Sequence, residues 1–334
     1  MTSSFTLLFV DDEEDIVNSL YRTFRKGYNV IRCLSGQEAI DIINKTPIDL
    51  IISDQRMPIV TGTDVLSHAF KTQPKAIRIL LTGYSDMGSL VECVNEAQIY
   101  KYLSKPWEPE DLRLTVVRAL ESLQLDRQLE VANESLSDAY LNAITMLGMA
   151  CEGKDETTAN HVRRVRYYTE ALALEVGIPD NEAVHMGIMS MLHDVGKIYI
   201  PDTILKKPGS LTDDEWTEMK RHAEYGAKIL GEHPYYSVAK DIAVGHHENY
   251  DGSGYPSGLI GKDIPLSARI AKVADTFDAL TTVRPYKEAW TINTAIEWMN
   301  EKANTMFDPD LINALLKLEG NGKLKKIMSE LHDN

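Results

Sequence analysis

The chain has 334 residues, of which 43% are hydrophobic and 25% charged, and carries a net charge of −15. That length allows two separate cores, and the acidic balance excludes a duplex nucleic-acid surface, which depends on many Lys and Arg contacts to phosphates. No apolar run approaches the ~20 residues of a membrane span, and no basic stretch followed by a long apolar one opens the chain, so a cytoplasmic protein without membrane contact is expected. Cys33, Cys93 and Cys151 are scattered and odd in number, which fits reduced thiols better than a disulfide framework.

Short apolar runs at 5–10, 28–33, 49–53, 76–82 and 99–104 read as strands separated by amphipathic stretches such as EEDIVNSLYRTF and SGQEAIDIINK. This alternation predicts an α/β doubly wound, five-stranded parallel sheet, in which chemistry gathers at the carboxyl ends of the strands. Those ends carry Asp11 and Asp12, Asp54, Thr82 and Lys105. Clustered carboxylates repel one another unless a hard cation lies among them, so Mg²⁺ and a phosphoryl group are the natural occupants. Any one of these acids alone could simply cap a helix.

With every key position filled over about 120 residues, residues 1–123 resemble the receiver domain of bacterial response regulators. The resemblance implies that Asp54 accepts the phosphoryl group from a sensor histidine kinase, with Mg²⁺ held by Asp11, Asp12 and Asp54. It also implies that Thr82 and Lys105 bind the phosphoryl oxygens, and that Tyr102 is the switch aromatic. An aspartyl phosphate adds charge and acceptor oxygens that a hydroxyl and an ammonium can engage, which would pull two loops inward.

From residue 112 to about 150 the chain has no proline, and its one glycine is Gly148, so a nearly continuous helix is expected. Leu125, Leu129, Ala132, Leu136, Ala139, Ala143 and Met146 follow steps of four and three, the spacing of a coiled-coil seam. Residues 124–150 are therefore read as a connector forming a parallel homodimer, the alternative being that this stripe packs on its own domain. Leu112, Val116, Ala119 and Leu123 form a separate stripe that should pack on the sheet.

Eight of the nine histidines lie beyond residue 160, in a region, 151–334, that reads as almost entirely helical. Its polar outliers within helix-like apolar spacing are His161, His193 with Asp194, His222, His246 with His247, and Asp275. Imidazole and carboxylate together suit transition metals of borderline hardness, and seven ligands are too many for one ion. A pair of ions bridged by a carboxylate would use all seven and would supply a nucleophilic water at neutral pH. Adjacent histidines on a helix point about 100° apart, so His246 and His247 need a helix end, placed at Asn249 and Tyr250, to approach one ion.

His193 and Asp194 stand in MLHDVGK, the signature of HD phosphohydrolases. With NHVRRV, MKRHAEYGAKIL, HHENYDGSGYP, ARIAKVADTFDALTTVRPYKEAW and FDPDL following in order, the stretch from Thr157 to Leu311 resembles an HD-GYP domain. The resemblance implies a cyclic di-GMP phosphodiesterase with two or three metal ions, iron or manganese. One ion would be held by His161, His193, Asp194 and Asp275, and Asp194 would bridge to a second held by His222, His246 and His247. Lys197 would contact the scissile phosphate, Arg284 and Lys287 would grip the rest of the ligand, and Gly254, Tyr255 and Pro256 would form a loop beside it. The expected product is linear pGpG, cut further to GMP.

One position departs from the pattern: members with a third metal carry a glutamate four residues before the first histidine, where this chain has Thr157, with Glu156 one residue earlier. Two metals are therefore expected. Asp278 is open between orienting a ligand and capping local structure. Also open are a slow module that signals by binding cyclic dinucleotide or a partner such as a diguanylate cyclase domain, and a phosphodiesterase acting on cyclic GMP-AMP.

Overall fold

The computed structural model describes residues 5–83, 97–152, 159–283 and 288–331, which divide into two compact units, Met1–Ser135 and Leu136–Asn334. Cys93 lies outside the described residues. Cys33 and Cys151 are buried, and burial pushes the Cys33 thiol up to about 12, so it stays protonated and inert. No described helix is long and apolar enough to cross a membrane.

In the first unit, β1 (Thr6–Val10), β2 (Asn29–Cys33), β3 (Leu50–Asp54), β4 (Ile77–Thr82) and β5 (Lys101–Ser104) form one parallel sheet in the order β2-β1-β3-β4-β5. The helices are α1 (Glu14–Phe24), α2 (Gly36–Lys45), α3 (Gly62–Thr72) and the start of α4 (Pro109–Glu152). Successive strand side chains alternate between faces, and both faces are covered, which is why the central strands β1, β3 and β4 are buried and largely apolar while the edge strands β2 and β5 are not. Leu7, Phe9, Leu50, Ile52 and Ile79 pack against Leu20, Phe24, Leu112, Val116 and Ala119 on one face. Leu8, Val10, Ile51 and Leu80 pack against Ala39, Ile43, Val65 and Leu66 on the other. The strand order reverses between β1 and β3, and a crevice at such a switch point is where α/β sheets place ligands.

The four buried residues Leu112, Val116, Ala119 and Leu123 belong to the first unit's core, as the separate stripe requires. Farther along α4, Tyr140, Leu141, Ile144 and Cys151 pack into the second unit. The seam residues Leu125, Leu129, Leu136 and Met146 are each at least 60% exposed in the single chain. Each unit buries its own residues of this helix, and the seam residues present an apolar row to solvent.

The second unit is helical, with α5 (Ala159–Glu175), α6 (Asp180–Ser190), α7 (Asp202–Leu205), α8 (Asp213–Lys220), α9 (His222–Leu230), α10 (Ser237–Gly245), α11 (Leu266–Thr281), α12 (Ile292–Glu301), α13 (Pro309–Gly320) and α14 (Lys323–Glu330). Tyr168, Phe277, Phe307 and Leu315 centre one core, and Val162, Met189, Leu192, Ile242 and Ala271 a second. α5 and α11 contribute to both, and α11 is buried on nearly all sides. A helix apolar all round belongs in the middle of a helical domain, and its few polar residues then need a purpose.

Helix-like apolar spacing continues through three points at which the structure ends a helix. NEAVHMGIMSMLHDVGK is not one helix: α6 stops at Ser190, His193 and Asp194 sit in a turn, and a 3-10 segment follows at Val195–Tyr199. DDEWTEMKRHAEYGAKIL breaks at Arg221 into α8 and α9. α10 ends at Gly245, four residues before the expected exit. The same contact accompanies each break. The ring Nδ1 of the histidine beside it lies 2.9, 2.7 and 2.9 Å from the main-chain oxygens of Ser190, Met219 and Ile242, near the ends of the preceding helices. Each of these carbonyls also accepts a main-chain N–H, and the imidazole adds a second donor on its other lone pair.

Candidate metal centre

His193, His222 and His246 thus project from helix ends with Nδ1 fixed. A carbonyl oxygen can only accept, so each Nδ1 must carry the proton and each Nε2 presents its lone pair. His161, inside α5, reaches the same state through a carboxylate: its Nδ1 is 2.7 Å from Asp278 Oδ2, and Arg164 Nε donates to Asp278 Oδ1 at 2.6 Å. Burial acts to raise the Asp278 carboxyl, but His161 and Arg164 outweigh it and hold it below its ordinary value. Asp278 therefore orients His161, the choice that the sequence left open. Four imidazoles held by outer partners in one tautomer is the arrangement that prepares ligands for a metal.

The lone pairs converge. His161 Nε2 and His193 Nε2 lie 3.6 and 4.0 Å from Asp275 Oδ1, and these three residues form one group able to surround an ion. Asp194, His222, His246 and His247 form a second. Asp194 faces both: its Oδ2 lies 3.3 Å from His193 Nε2, while its Oδ1 lies 3.3 Å from His222 Nε2 and 3.6 Å from His246 Nε2. Among the described residues, buried Asp194 Oδ1, His222 Nε2 and His246 Nε2 have no hydrogen-bond partner despite that proximity. Leaving such atoms unsatisfied is costly, and a cation among them removes the cost, so the donor set fits metal ions.

The electrostatics agree. Burial lowers the pKa of His222, and burial with the adjacent His246 holds His247 well below the usual imidazole range. Both stay neutral and able to coordinate below pH 6.5. Burial would raise Asp194, but Lys197, whose Nζ is 2.8 Å from Oδ2, together with His193 and His246, holds it well below its ordinary value.

The loop following His247 is built onto this site. Glu248, 1% exposed, accepts from Ser257 N at 2.7 Å and Gly258 N at 3.1 Å, tying the loop down. Gly254 lies so close that a Cβ there would sit 2.2 Å from Asn249 N, so only glycine fits. Tyr255 stacks on His247 at 4.7 Å, and its peptide bond to Pro256 is cis. Lys272, buried beneath on α11, is pushed down to about 8 by loss of hydration despite the fields of Asp275, Glu248 and Asp251. Sequence reasoning assigned no task to Glu248 or Lys272; the signal was a full charge inside an apolar helix and a glutamate inside a turn motif. Glu156, Thr157, Arg284 and Lys287 lie outside the described residues.

In the first unit, Asp11, Asp12 and Asp54 also form a group able to surround an ion. Lys105 Nζ lies 2.8 Å from Asp11 Oδ2 and 2.5 Å from Asp54 Oδ1. Main-chain N–H groups of Glu13 and Arg56 donate to the other oxygens of Asp11 and Asp54 at 2.9 and 2.8 Å. Burial raises the Asp11 carboxyl although Lys105 works against it. Three carboxylates around one ammonium leave negative charge in excess, which fits a hard divalent cation. Thr82 is buried at the end of β4, and Tyr102 on β5 is 47% exposed.

A parallel sheet with an acidic crevice and a helical domain with two histidine–carboxylate clusters define a protein that joins a receiver-type domain to an HD-type domain. Family models agree, matching a response regulator receiver domain over residues 7–117 and an HD domain over 146–311. The chain is 34% identical over 298 residues to the "Cyclic di-GMP phosphodiesterase response regulator RpfG" of Xanthomonas campestris, covering 85% of this chain and 78% of that one. It is 32% identical to a "Cyclic di-GMP phosphodiesterase" of Thermotoga maritima, covering 94% and 90%. A "3'3'-cGAMP-specific phosphodiesterase 2" of Vibrio cholerae is 46% identical over 173 residues, 51% of this chain and 33% of that one. This chain belongs to the family of response regulators that carry a receiver domain and an HD domain.

Proposed function

We propose that this chain is a metal-dependent cyclic dinucleotide phosphodiesterase that hydrolyses cyclic di-GMP to linear pGpG, and onward to GMP, under control of phosphorylation at Asp54. The observation that carries this reading is Asp194, which turns one oxygen to each of two imidazole clusters whose lone pairs are already aimed inward. His161, His193, Asp194 and Asp275 would hold one ion and Asp194, His222, His246 and His247 the other, iron or manganese by resemblance to HD-GYP domains, and imidazole with carboxylate is compatible with either. When bound, such a pair lowers the pKa of water and offsets charge developing on a phosphoryl group.

The protein's own side chains do the rest. Lys197 keeps Asp194 ionised and stands where an ammonium can pair with the oxygens of the scissile phosphate. Asp278 and the three helix-end carbonyls keep the imidazoles from rotating. The Gly254–Tyr255–Pro256 loop, pinned by Glu248, walls the site on the His247 side.

Protein purified without oxygen should carry two transition-metal ions and convert cyclic di-GMP to pGpG; full metal occupancy without turnover would overturn the reading in favour of a binding module. The V. cholerae relative named for cGAMP supports a second substrate, so competition between cyclic di-GMP and cyclic GMP-AMP decides preference. For regulation, a sensor kinase would phosphorylate Asp54 with Mg²⁺ held by Asp11, Asp12 and Asp54. Thr82 and Lys105 would receive the phosphoryl oxygens, and Tyr102 would respond. The exposed seam from Leu125 to Met146, in a connector over 124–150, suits a parallel dimer of a cytoplasmic protein. Identical activity of wild type and Asp54→Asn, with and without a phosphodonor, would remove the regulatory part.

A further inference from the structure

Outside the clusters already described, one exposed group of side chains has chemistry without a structural task. Trp216 on α8 is 43% exposed although it is among the largest apolar side chains of the domain. Its ring meets Tyr255 edge-on, with centroids 6.4 Å apart and planes at 72°. Lys220, one turn farther along α8, places its Nζ in the corner between them, 5.8 Å from the Trp216 ring centre and 5.5 Å from that of Tyr255. Both distances suit a cation–π contact.

Lys220 has no ion-pair partner among the described residues, although α8 is acidic. The nearest acids on the helix are engaged elsewhere, Glu215 with Lys207 and Glu218 with Arg221 and Tyr225. The result is an ammonium on two aromatic faces, its charge not neutralised by a carboxylate. The corner is also tied to the metal centre at both ends. Tyr255 stacks on His247, and Lys220 is two residues before His222.

We propose that Trp216, Lys220 and Tyr255 form a nucleotide-binding corner that receives the half of the cyclic dinucleotide lying outside the metal centre, its base on the Trp216 face and its phosphate at Lys220. This rests on the phosphodiesterase reading and adds where the substrate's second nucleotide is held. An aromatic face with a cation beside it is what a base and its phosphate require, and stacking tolerates any base because every base has a π-face. The corner therefore contributes affinity without choosing guanine over adenine, and selectivity must arise elsewhere in the site.

The test uses the full-length, metal-loaded protein with cyclic di-GMP and 3′3′-cyclic GMP-AMP as substrates. Trp216→Ala should raise KM for both in parallel by about 10-fold or more, the range of one lost base stack, with kcat within about twofold. Metal content and melting temperature should be unchanged, and Trp216→Phe should restore most of the affinity. Lys220→Gln should raise KM less and flatten its dependence on salt, as loss of one cation requires. Wild-type KM in both Trp216 variants, a fall in kcat at constant KM, or a loss confined to the guanine-only substrate would each overturn the corner while leaving the phosphodiesterase intact. Absence of turnover in the wild type would instead overturn the phosphodiesterase reading, and the corner with it.

Discussion

The two acidic sites of this protein solve charge crowding in opposite ways. In the sheet, Asp11, Asp12 and Asp54 are oxygen donors from the ends of neighbouring strands, and a lysine already sits among them. Asp12 is exposed, so an ion or a phosphoryl group can enter and leave. In the helical unit the donors are mostly imidazoles, drawn with their carboxylates from segments remote in sequence, and four of the five, His161, His193, His222 and His246, are buried and held on the far nitrogen. The first arrangement suits a transient charge and the second a resident one. The lesson is that outer hydrogen bonds, more than the ligand atoms, separate a switch from a metal centre.

The comparison can be broken first at Asp194. Asp194→Ala should remove the carboxylate common to both clusters, lowering metal content and abolishing turnover by at least about 10³-fold, read by elemental analysis and product assay. Retained metal and activity would mean that the clusters work independently. A smaller effect, about 10- to 100-fold on metal affinity or activity, is expected for Asp278→Ala, because His161 keeps its ligand atom and loses only its orientation. If His161→Ala and Asp278→Ala act additively, orientation is not the link.

The acid limits of the sites should also differ. His222 and His247 have folded pKa values below the ordinary 6.5, so as pH falls they remain neutral after an unperturbed histidine has charged. Metal retention should therefore persist below pH 6.5 and fail only at lower pH, as followed by metal release during acid titration. Release centred at or above pH 6.5 would contradict the burial argument.

The last and smallest effect sharpens the contrast in how each site treats a lysine. Lys105 is wanted in its cluster, and burial notwithstanding, its contacts with Asp11 and Asp54 raise its pKa. Lys272 is pushed down to about 8, so its charge is disfavoured by the fold. The unfolded chain binds that proton up to about pH 10.4, so the penalty is complete below pH 8, fades between pH 8 and about 10, and is gone above that. Lys272→Met should accordingly raise stability by about 1–3 kcal/mol at pH 7, with the gain shrinking towards pH 10 in denaturant titrations. A gain independent of pH would assign it to packing instead.

Much of this was legible in the chain. The central strands announced themselves because they are buried on both faces and so are largely apolar, and the acids at their ends follow directly from parallel topology. The seven residues from His161 to Asp275 could be named because imidazoles and carboxylates inside apolar helical spacing have few bland uses. The helix ends at Ser190, Arg221 and Gly245 were not legible, since apolar periodicity continues through them and does not record where the chain turns. Asp278 was visible as a residue and invisible as a partner, because its meaning is the approach of α5 to α11.

By itself the sequence determined the two-unit plan, the family and the inventory of donors, because periodicity and residue type are local properties. Only the tertiary structure decided that Asp194 stands between two clusters, that four of the imidazoles offer Nε2, that Glu248 pins the loop, and that Trp216, Lys220 and Tyr255 meet. Those facts depend on distances between segments up to more than 100 residues apart, and no local pattern encodes a distance.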